Sequence, residues 1–509
     1  MYSLISKMFG KEKGMLALTE LLKDWPCLVK GGSVRVEVKG ITERSDEVQP
    51  GYMFVAREGK KSDGLGFIDE AIERGAVCIV TDRMTDLKQK DQVAYVFVAD
   101  CLQFLSHACA RFEGNPSEDL TVIAVTGTNG KTTVTHFIDQ LLRSMGVKSA
   151  VIGTLGLVID GINHNLPLPA MTTLPPVYLH RTLRYCRDLG ITHIVMEASS
   201  LGLSQLRLDH CKIDLGLFLN LGNDHYAEHG SRLKYKKAKE RLAHLASEVI
   251  VNGDDDFCAS IIRKTDKPVM SFGQNLENDY TIELLKSDQS LTEMIVQHEG
   301  FSTFFELPVS GVHNALNAVA AISALEHLGF GLQEISKHIK VLKLPEGRLQ
   351  EIRGANGVHV YIDYAHTPDA LQAVLKSLAL ICRGRILTVF GCGGDRDPGK
   401  RPEMGEIAAF YSSIVWITSD NPRSEDPQSI IHDILSGIGE DTTRYLIEPD
   451  REKAIKQALS EARRGDFVLI AGKGHEKTQT FAKETIHFSD YEIAAKCFEE
   501  MDEEKTVSE

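Results

Sequence analysis

TVIAVTGTNGKTTVTHFIDQLL, residues 121–142, decides how this chain is read. The opening TVIAVT is apolar and β-branched, as a strand buried on both faces requires, and the closing KTTVTHFIDQLL spaces its apolar residues as one face of a helix. Between them Gly127, Thr128, Asn129 and Gly130 form a tight loop that ends where the helix begins at Lys131. A glycine loop at a helix N-terminus aims backbone N–H groups and the positive end of the helix dipole at an anion. Lys131 adds a point charge, and Thr132 adds a hydroxyl suited to Mg²⁺. The run departs from the general phosphate-loop pattern, because Val125 stands where that pattern has its first glycine. A fortuitous Gly-Lys-Thr is the competing reading; the flanking strand and helix weigh against it.

The same alternation continues outward. HIVMEASS, LGLFLNLGNDH and EVIVNGDDD are further apolar runs ending in polar loops, the mark of parallel strands covered by helices on both faces. Beyond Leu349 the rhythm restarts with VHVYIDYA, RILTVFGCGG, SIVWITSDN and FVLIAGKG, which reads as a Rossmann-like sheet of its own. Ahead of the phosphate loop, VRVEV, MFVA, VCIVTD and AYVFVA alternate with helical FIDEAIERGA as a small α/β unit, and EGNPSED makes a turn-rich junction. The expected fold class is α/β in three domains: a small N-terminal one over 1–117, a central P-loop-type parallel sheet over 118–346, and a C-terminal one over 347–509.

A chain of 509 residues, 43% hydrophobic and 25% charged, has apolar material for several cores. Its formal charge of −14 repels polyanions and argues against nucleic acid as a partner. Ten cysteines without a CxxC pair suggest reduced thiols, and neither a leader peptide nor a membrane span is read, so a cytoplasmic monomer acting on small molecules is expected. The acidic stretch from Glu499 to Glu509 reads as a frayed, solvated tail.

Strand ends in parallel sheets face the ligand crevice, which singles out several polar residues. Glu197 ends HIVME. A strand-end carboxylate is often merely capped, but beside a phosphate loop a Mg²⁺ ligand is the better reading. Asn220, Asp224 and His225 follow the next strand, with His225 a candidate second ligand. The lysines of KYKKAKERLAHL, Lys239 among them, read on their own as a solvated basic face. Thr367 and Pro368 suit the cap and first turn of a helix, leaving Asp363 and His366 in the preceding loop. Arg396, Asp420, Asn421, Arg423, Gly472 and Glu476 lie in separate loops, and such a mixture of cations, anions and amides suits a zwitterion.

TGTNGKTT resembles the ATP-binding signature of the Mur ligase and folylpolyglutamate synthetase superfamily, and ordered blocks of likeness run from about Gly32 to Ser489. The resemblance implies ATP and Mg²⁺, with the γ-phosphate passing to a carboxylate and an amine then displacing phosphate to give an amide. It implies that Gly127 to Thr133 hold the phosphates, that Asn314 and Asn317 of GVHNALNAVAA pack near the adenine, and that Arg348 and Asp363 approach the nucleotide. Lys131, Glu197, His225 and Lys239 would be the catalytic set; Thr132, Glu197, His225 and a carbamylated Lys239 would serve the metals. Ser45, Thr172, Thr173, Ser199, Gln205 and Arg207 match positions that hold a UDP-muramoyl peptide. The DNPR run containing Arg423 resembles that of the members adding diaminopimelate. Three departures fall near the acyl substrate: Asp46 replaces an arginine, Leu174 a proline and Leu201 a histidine. Ligation to another muramoyl or γ-glutamyl peptide, a folate-type acceptor, or a silent ATP-binding regulator therefore stay open as alternatives.

Overall fold

A computed structural model describes residues 14–508 except 60–61, 85–89, 223–228, 289–290, 355–356 and 440–443, with side chains described up to Glu500. Thr121–Thr126 lies at the heart of an eleven-stranded sheet. Its parallel neighbours are His193–Glu197 on one side and Ile213–Phe218 on the other. The chain thus crosses to both sides of this strand, and the phosphate loop opens at the resulting switch point, where crevices form in such sheets. Val122, Ile123, Ala124 and Val125 are fully buried, which accounts for their continuous apolar run.

Sequence patterning does not reveal how this sheet ends. At one edge Gly156–Ile159 and Ile162–Asn163 add an antiparallel hairpin, and at the other Tyr280–Ser287, Thr292–His298 and Phe301–Leu307 form an antiparallel meander. The meander packs one face on the helix Val312–His327, burying Ile282, Met294, Val296 and Phe305, and leaves Phe304 exposed on the other. Alternation of this kind is what a half-solvated antiparallel ribbon needs.

Residues 27–98 build a five-stranded sheet in which Gly40–Thr42, Tyr52–Val55, Cys78–Thr81 and Ala94–Val98 run parallel and Cys27–Lys30 is antiparallel. The run VRVEV is not the strand it resembles. Only Glu37–Val38 pairs, with Leu16–Ala17, because Gly31 and Gly32 turn the chain at positive φ and leave Val34 exposed. Helices Cys101–Phe112 and Pro176–Asp188 join this unit to the central sheet through one continuous apolar cluster. At the EGNPSED junction the buried Glu113 carboxylate lies 3.6 Å from Arg181 and 2.6 Å from Arg184, so the turn is fastened down.

The last sheet has the order Gln350–Arg353, His359–Asp363, Phe467–Ala471, Ile386–Phe390, Ile414–Ile417, Arg444–Ile447, with the first strand antiparallel and the rest parallel. Asp363 is the final residue of its strand rather than part of the loop, while Thr367 caps the following helix as its sequence suggests. The acidic tail is helical rather than frayed: Asp490–Ser508 is one helix, anchored by buried Ala494, Cys497 and Phe498 at helical spacing. The connector into this unit is gripped by the phosphate-loop helix. Gln140 donates to the Lys343 carbonyl at 2.9 Å and accepts from the Lys343 amide at 2.7 Å.

Beneath the loops of the last sheet, Arg451 and Asp490 form a fully buried ion pair at 2.8 Å, and Arg451 also donates to the carbonyls of Ala471 and Ser419. Removing the carboxylate leaves a buried guanidinium without its directly bonded counterion. Asp490→Ala should therefore lower unfolding free energy by about 3–5 kcal/mol in a denaturant titration; a loss below about 1 kcal/mol would show that the pair is not what holds these loops.

Candidate active site

The phosphate loop is held by side chains from three directions. Gly130 sits at φ +88 as the residue before the helix, and a Cβ there would come 2.5 Å from Asn317 Oδ1, so glycine is required both for conformation and for space. Asn220 accepts from the Asn129 amide at 2.9 Å and donates to its carbonyl at 3.1 Å. Thr128 Oγ1 lies 2.9 Å from the Tyr235 hydroxyl and accepts from the Gly222 amide. Lys131 folds back over the loop, donating to the carbonyls of Gly127 and Thr128 at 2.8 and 3.0 Å. This poises an ammonium at the loop mouth, on contacts that a phosphate oxygen could replace.

Glu197 closes the site on the neighbouring strand end. One of its oxygens accepts from Thr132 Oγ1 at 3.1 Å and from the Thr154 amide at 2.9 Å, and the other from Thr154 Oγ1 at 3.1 Å. A hydroxyl and a buried carboxylate at the mouth of a phosphate loop form a donor set suited to a hard dication that completes its shell with water and phosphate oxygens. Among the described residues no group of three or more histidine, cysteine, aspartate or glutamate side chains is assembled for a metal. Asp224 and His225 lie outside the described residues. Lys239 is almost wholly buried, with its ammonium 4.9 Å from the centre of the Tyr235 ring, so the solvated basic face read from the sequence fails at this residue while holding for exposed Lys234 and Lys237.

A cleft runs from the loop into the junction of the central and last units. Asn129, Gly130 and Thr133 line it with Asn252, Phe272, His313, Asn314, Asn317, Arg348 and Asp363. Asn314 is fixed by donating to Ser310 O at 2.8 Å. Arg348 donates to Thr132 Oγ1 at 3.3 Å and lies 4.8 Å over the Tyr364 ring, bringing a cation from the last unit onto the phosphate-loop helix. Asp363 accepts from the amides of Leu349 and Ala365 at 2.7 Å each; burial holds its carboxyl above the ordinary value, against the pull of Arg348. Loop N–H groups, two cations and an amide-lined cleft fit a nucleoside triphosphate.

On the opposite side of Glu197, Thr173 Oγ1 donates to the Glu197 carbonyl at 2.8 Å and lies 3.0 Å from Ser199 Oγ. Arg207 donates to Thr173 O at 2.6 Å and to Gln205 Oε1, and Thr172 Oγ1 lies 3.1 Å from Thr154 Oγ1. Thr172, Thr173, Ser199, Gln205 and Arg207 therefore form one patch. Ser45 stands apart from it, in a larger cleft of about 600 Å³ between the first and central units that Arg44, Arg57 and Tyr178 also line. Asp46, the residue found in place of arginine, grips Arg44 through two hydrogen bonds of 3.2 and 2.7 Å, so a guanidinium still lines the cleft; Arg44 holds that carboxyl below its ordinary value. Leu174 is buried in the core, and beside Leu201 it is His229 that reaches Ser200 Oγ, at 3.0 Å.

The loops of the last sheet converge as well. Arg423, at φ +52, donates to Gly394 O at 2.6 Å and shares the neighbourhood of Gly393 with exposed Arg396. Gly472, at φ +117, leaves room for Asp420, whose Oδ2 a Cβ would meet at 2.5 Å. Asn421 donates to Glu476 at 2.8 Å. His475 stacks near Tyr364, ring centres 5.1 Å apart, which connects this cluster to Arg348. Thr154, Tyr235, His229 and Lys473 escape sequence reading: Thr154 follows the strand Ser149–Gly153 in a Gly-Thr-Leu-Gly loop that could have signalled it, whereas Tyr235 and His229 lie at no strand end and the burial of Lys473 has no signature in the sequence.

Comparison with known proteins identifies the family. Three family models match in order: Mur ligase family, catalytic domain, at 37–113; Mur ligase middle domain at 125–325; and Mur ligase, glutamate ligase domain, at 347–474. The UDP-N-acetylmuramoyl-L-alanyl-D-glutamate–2,6-diaminopimelate ligase of Aquifex aeolicus is 38% identical over 458 residues, covering 90% of this chain and 92% of its own. The enzyme of that name from Caldanaerobacter subterraneus is 34% identical over 480 residues, covering 94% and 98%. A solved structure of a ligase so named superposes with a TM-score of 0.68 at 32% identity, covering 96% of this chain and all of that one. The MurF ligase of Thermotoga maritima in complex with ADP shares the fold, with a TM-score of 0.60 at 20% identity over 92% and 98%. With relatives this similar along nearly their whole length, the chain belongs to the Mur ligase family.

Proposed function

We propose that this chain is the ATP-dependent ligase that joins meso-diaminopimelate to UDP-N-acetylmuramoyl-L-alanyl-D-glutamate, acting in the cytoplasm as a monomer and supplying peptidoglycan synthesis. The observation that carries this reading is the meeting of the phosphate loop, the Glu197–Thr132 pair and the Thr173–Ser199–Arg207 patch around one strand end, with Arg348 delivered from the last unit. The work divides at 1–117 for the uridine nucleotide, 118–346 for ATP and 347–509 for the amino acid.

Lys131 and the loop amides neutralise the phosphates, and Thr132 with Glu197 would hold Mg²⁺, assisted by His225 and a carbamylated Lys239. A dication held there would supply positive charge to offset that building as the γ-phosphoryl group passes to the glutamate carboxylate. Arg207, Thr172, Thr173, Ser199 and Gln205 orient that carboxylate, and Ser45 holds the distant nucleotide end. Closure of the last unit, carrying Arg348 and Asp363 onto the phosphate loop, excludes the water that would hydrolyse an acyl phosphate. Asp420, Asn421, Gly472 and Glu476 seat the amino acid so that its free amine attacks.

The direct test is phosphate release by the purified protein given ATP, Mg²⁺ and the UDP-muramoyl dipeptide, with diaminopimelate or lysine. Release that requires diaminopimelate is expected; none with any muramoyl acceptor would sink the assignment. Arg423 and Arg396 are placed to fork the carboxylate that lysine lacks. Arg423→Ala should raise KM for diaminopimelate about 10²-fold and leave KM for ATP unchanged, and an equal rise in both constants would remove Arg423 from this role.

A further inference from the structure

We infer that Lys473 is a positioning residue: it fixes Glu476 and Asn421 so that one oxygen of the Glu476 carboxylate is reserved for the ammonium of the incoming diamino acid. This rests on the reading of the loop cluster as the amino-acid site. Lys473 is withdrawn completely from solvent, a position a lysine occupies only when its charge is met. Its Nζ donates to Glu476 Oε2 at 2.9 Å and to Asn421 Oδ1 at 3.2 Å. Asn421 closes the triangle, donating through Nδ2 to the same Oε2 at 2.8 Å. The Thr480 amide also donates to Asn421 Oδ1, at 3.0 Å, so the orientation of the Asn421 amide is fixed by two donors on one side and a carboxylate on the other.

Both protein donors thus fall on Oε2. Among the described residues nothing donates to Oε1, and the Glu476 side chain keeps 30% of its surface exposed. The geometry is that of a carboxylate tethered at one oxygen and presented with the other. The Glu476 amide donates to the Lys473 carbonyl at 3.0 Å, so a single turn sets the spacing between ammonium and carboxylate. Without the lysine, Glu476 keeps a hydrogen bond from Asn421 but loses the charge that holds it in one rotamer, and a carboxylate free to swing out holds the substrate ammonium less well.

The two partners differ in what their loss leaves behind. Lys473→Met leaves a partly solvated carboxylate, whereas Glu476→Gln leaves a buried ammonium without its counterion. In phosphate-release assays with ATP and the UDP-muramoyl dipeptide saturating, Lys473→Met should raise KM for diaminopimelate about 10- to 100-fold while KM for ATP stays within about twofold. Glu476→Gln should raise the same KM and lower Tm more than Lys473→Met does. The double variant should bind diaminopimelate no worse than Glu476→Gln alone and regain part of the lost Tm. A diaminopimelate KM within about twofold of the parent in Lys473→Met, or effects that multiply in the double variant, would overturn the proposal. Should Glu476→Gln itself leave that KM unchanged, the assignment of the cluster to the amino acid falls and the proposal falls with it. If Lys473→Met does not fold, Lys473→Gln, which keeps a donor and loses the charge, is read by the same criteria.

Discussion

Replacing Lys131 by alanine should reduce ATP-dependent phosphate release about 10³-fold, with little change in Tm. The lysine is half-buried and donates to the neutral Gly127 and Thr128 carbonyls, so losing these two bonds strands no charge. What disappears is an ammonium at the mouth of the loop that could follow charge onto the departing phosphate oxygens. The Asn129 amide stays fixed by Asn220 and the helix start is unchanged, so nucleotide binding should weaken less than turnover. Turnover within about tenfold of the parent would mean that the loop amides and Arg348 suffice, and the catalytic role given to Lys131 would be wrong.

Glu197→Gln is the second large effect, and it separates a metal ligand from a capped structural acid. The carboxylate is buried and already receives hydrogen bonds from Thr132 Oγ1, the Thr154 amide and Thr154 Oγ1, which satisfies a purely structural reading. An amide of the same shape keeps part of this network and loses the charge. If Glu197 serves Mg²⁺, kcat should fall about 10²-fold or more and the Mg²⁺ concentration giving half-maximal rate should rise at least about tenfold. If it is only a cap, Tm falls and the Mg²⁺ dependence stays where it was. Titrating Mg²⁺ at saturating substrates, with a melting curve of the same preparation, distinguishes the two.

Much of this could be read from the sequence because the relevant signals are local. Strand, loop and helix around Gly130, Glu197 at a strand end and Thr367 as a cap depend on neighbouring residues, and local patterns report them faithfully. The antiparallel meander over 280–307 is harder to read because Leu285, Phe301 and Phe304 put apolar side chains on its exposed face and blur the alternation that marks a half-buried strand. The burial of Lys239 and Lys473 is also out of reach: whether a lysine points to water or into a protein is decided by elements far away in the chain, such as Thr121–Thr126, on which the helix of Lys239 packs, and the Asn421 loop, which meets Lys473. Asp46 is a different case. Its departure from the family pattern looks like lost charge until the structure shows it holding Arg44, two residues earlier, in the same cleft.

The double hydrogen bond between Gln140 and the Lys343 backbone has a mechanical consequence. It welds the start of the connector to the rod that carries the triphosphate grip, so any swing of the last unit that preserves it must be absorbed by Leu344, Pro345, Glu346 and Gly347. Proline resists rotation at its own φ, and Gly347 already stands at φ +71 against the backbone of Gly474 and His475. The pivot is therefore four residues long and restrained at two of them, with the Arg348 guanidinium mounted just past its end: a short lever whose tip can travel little.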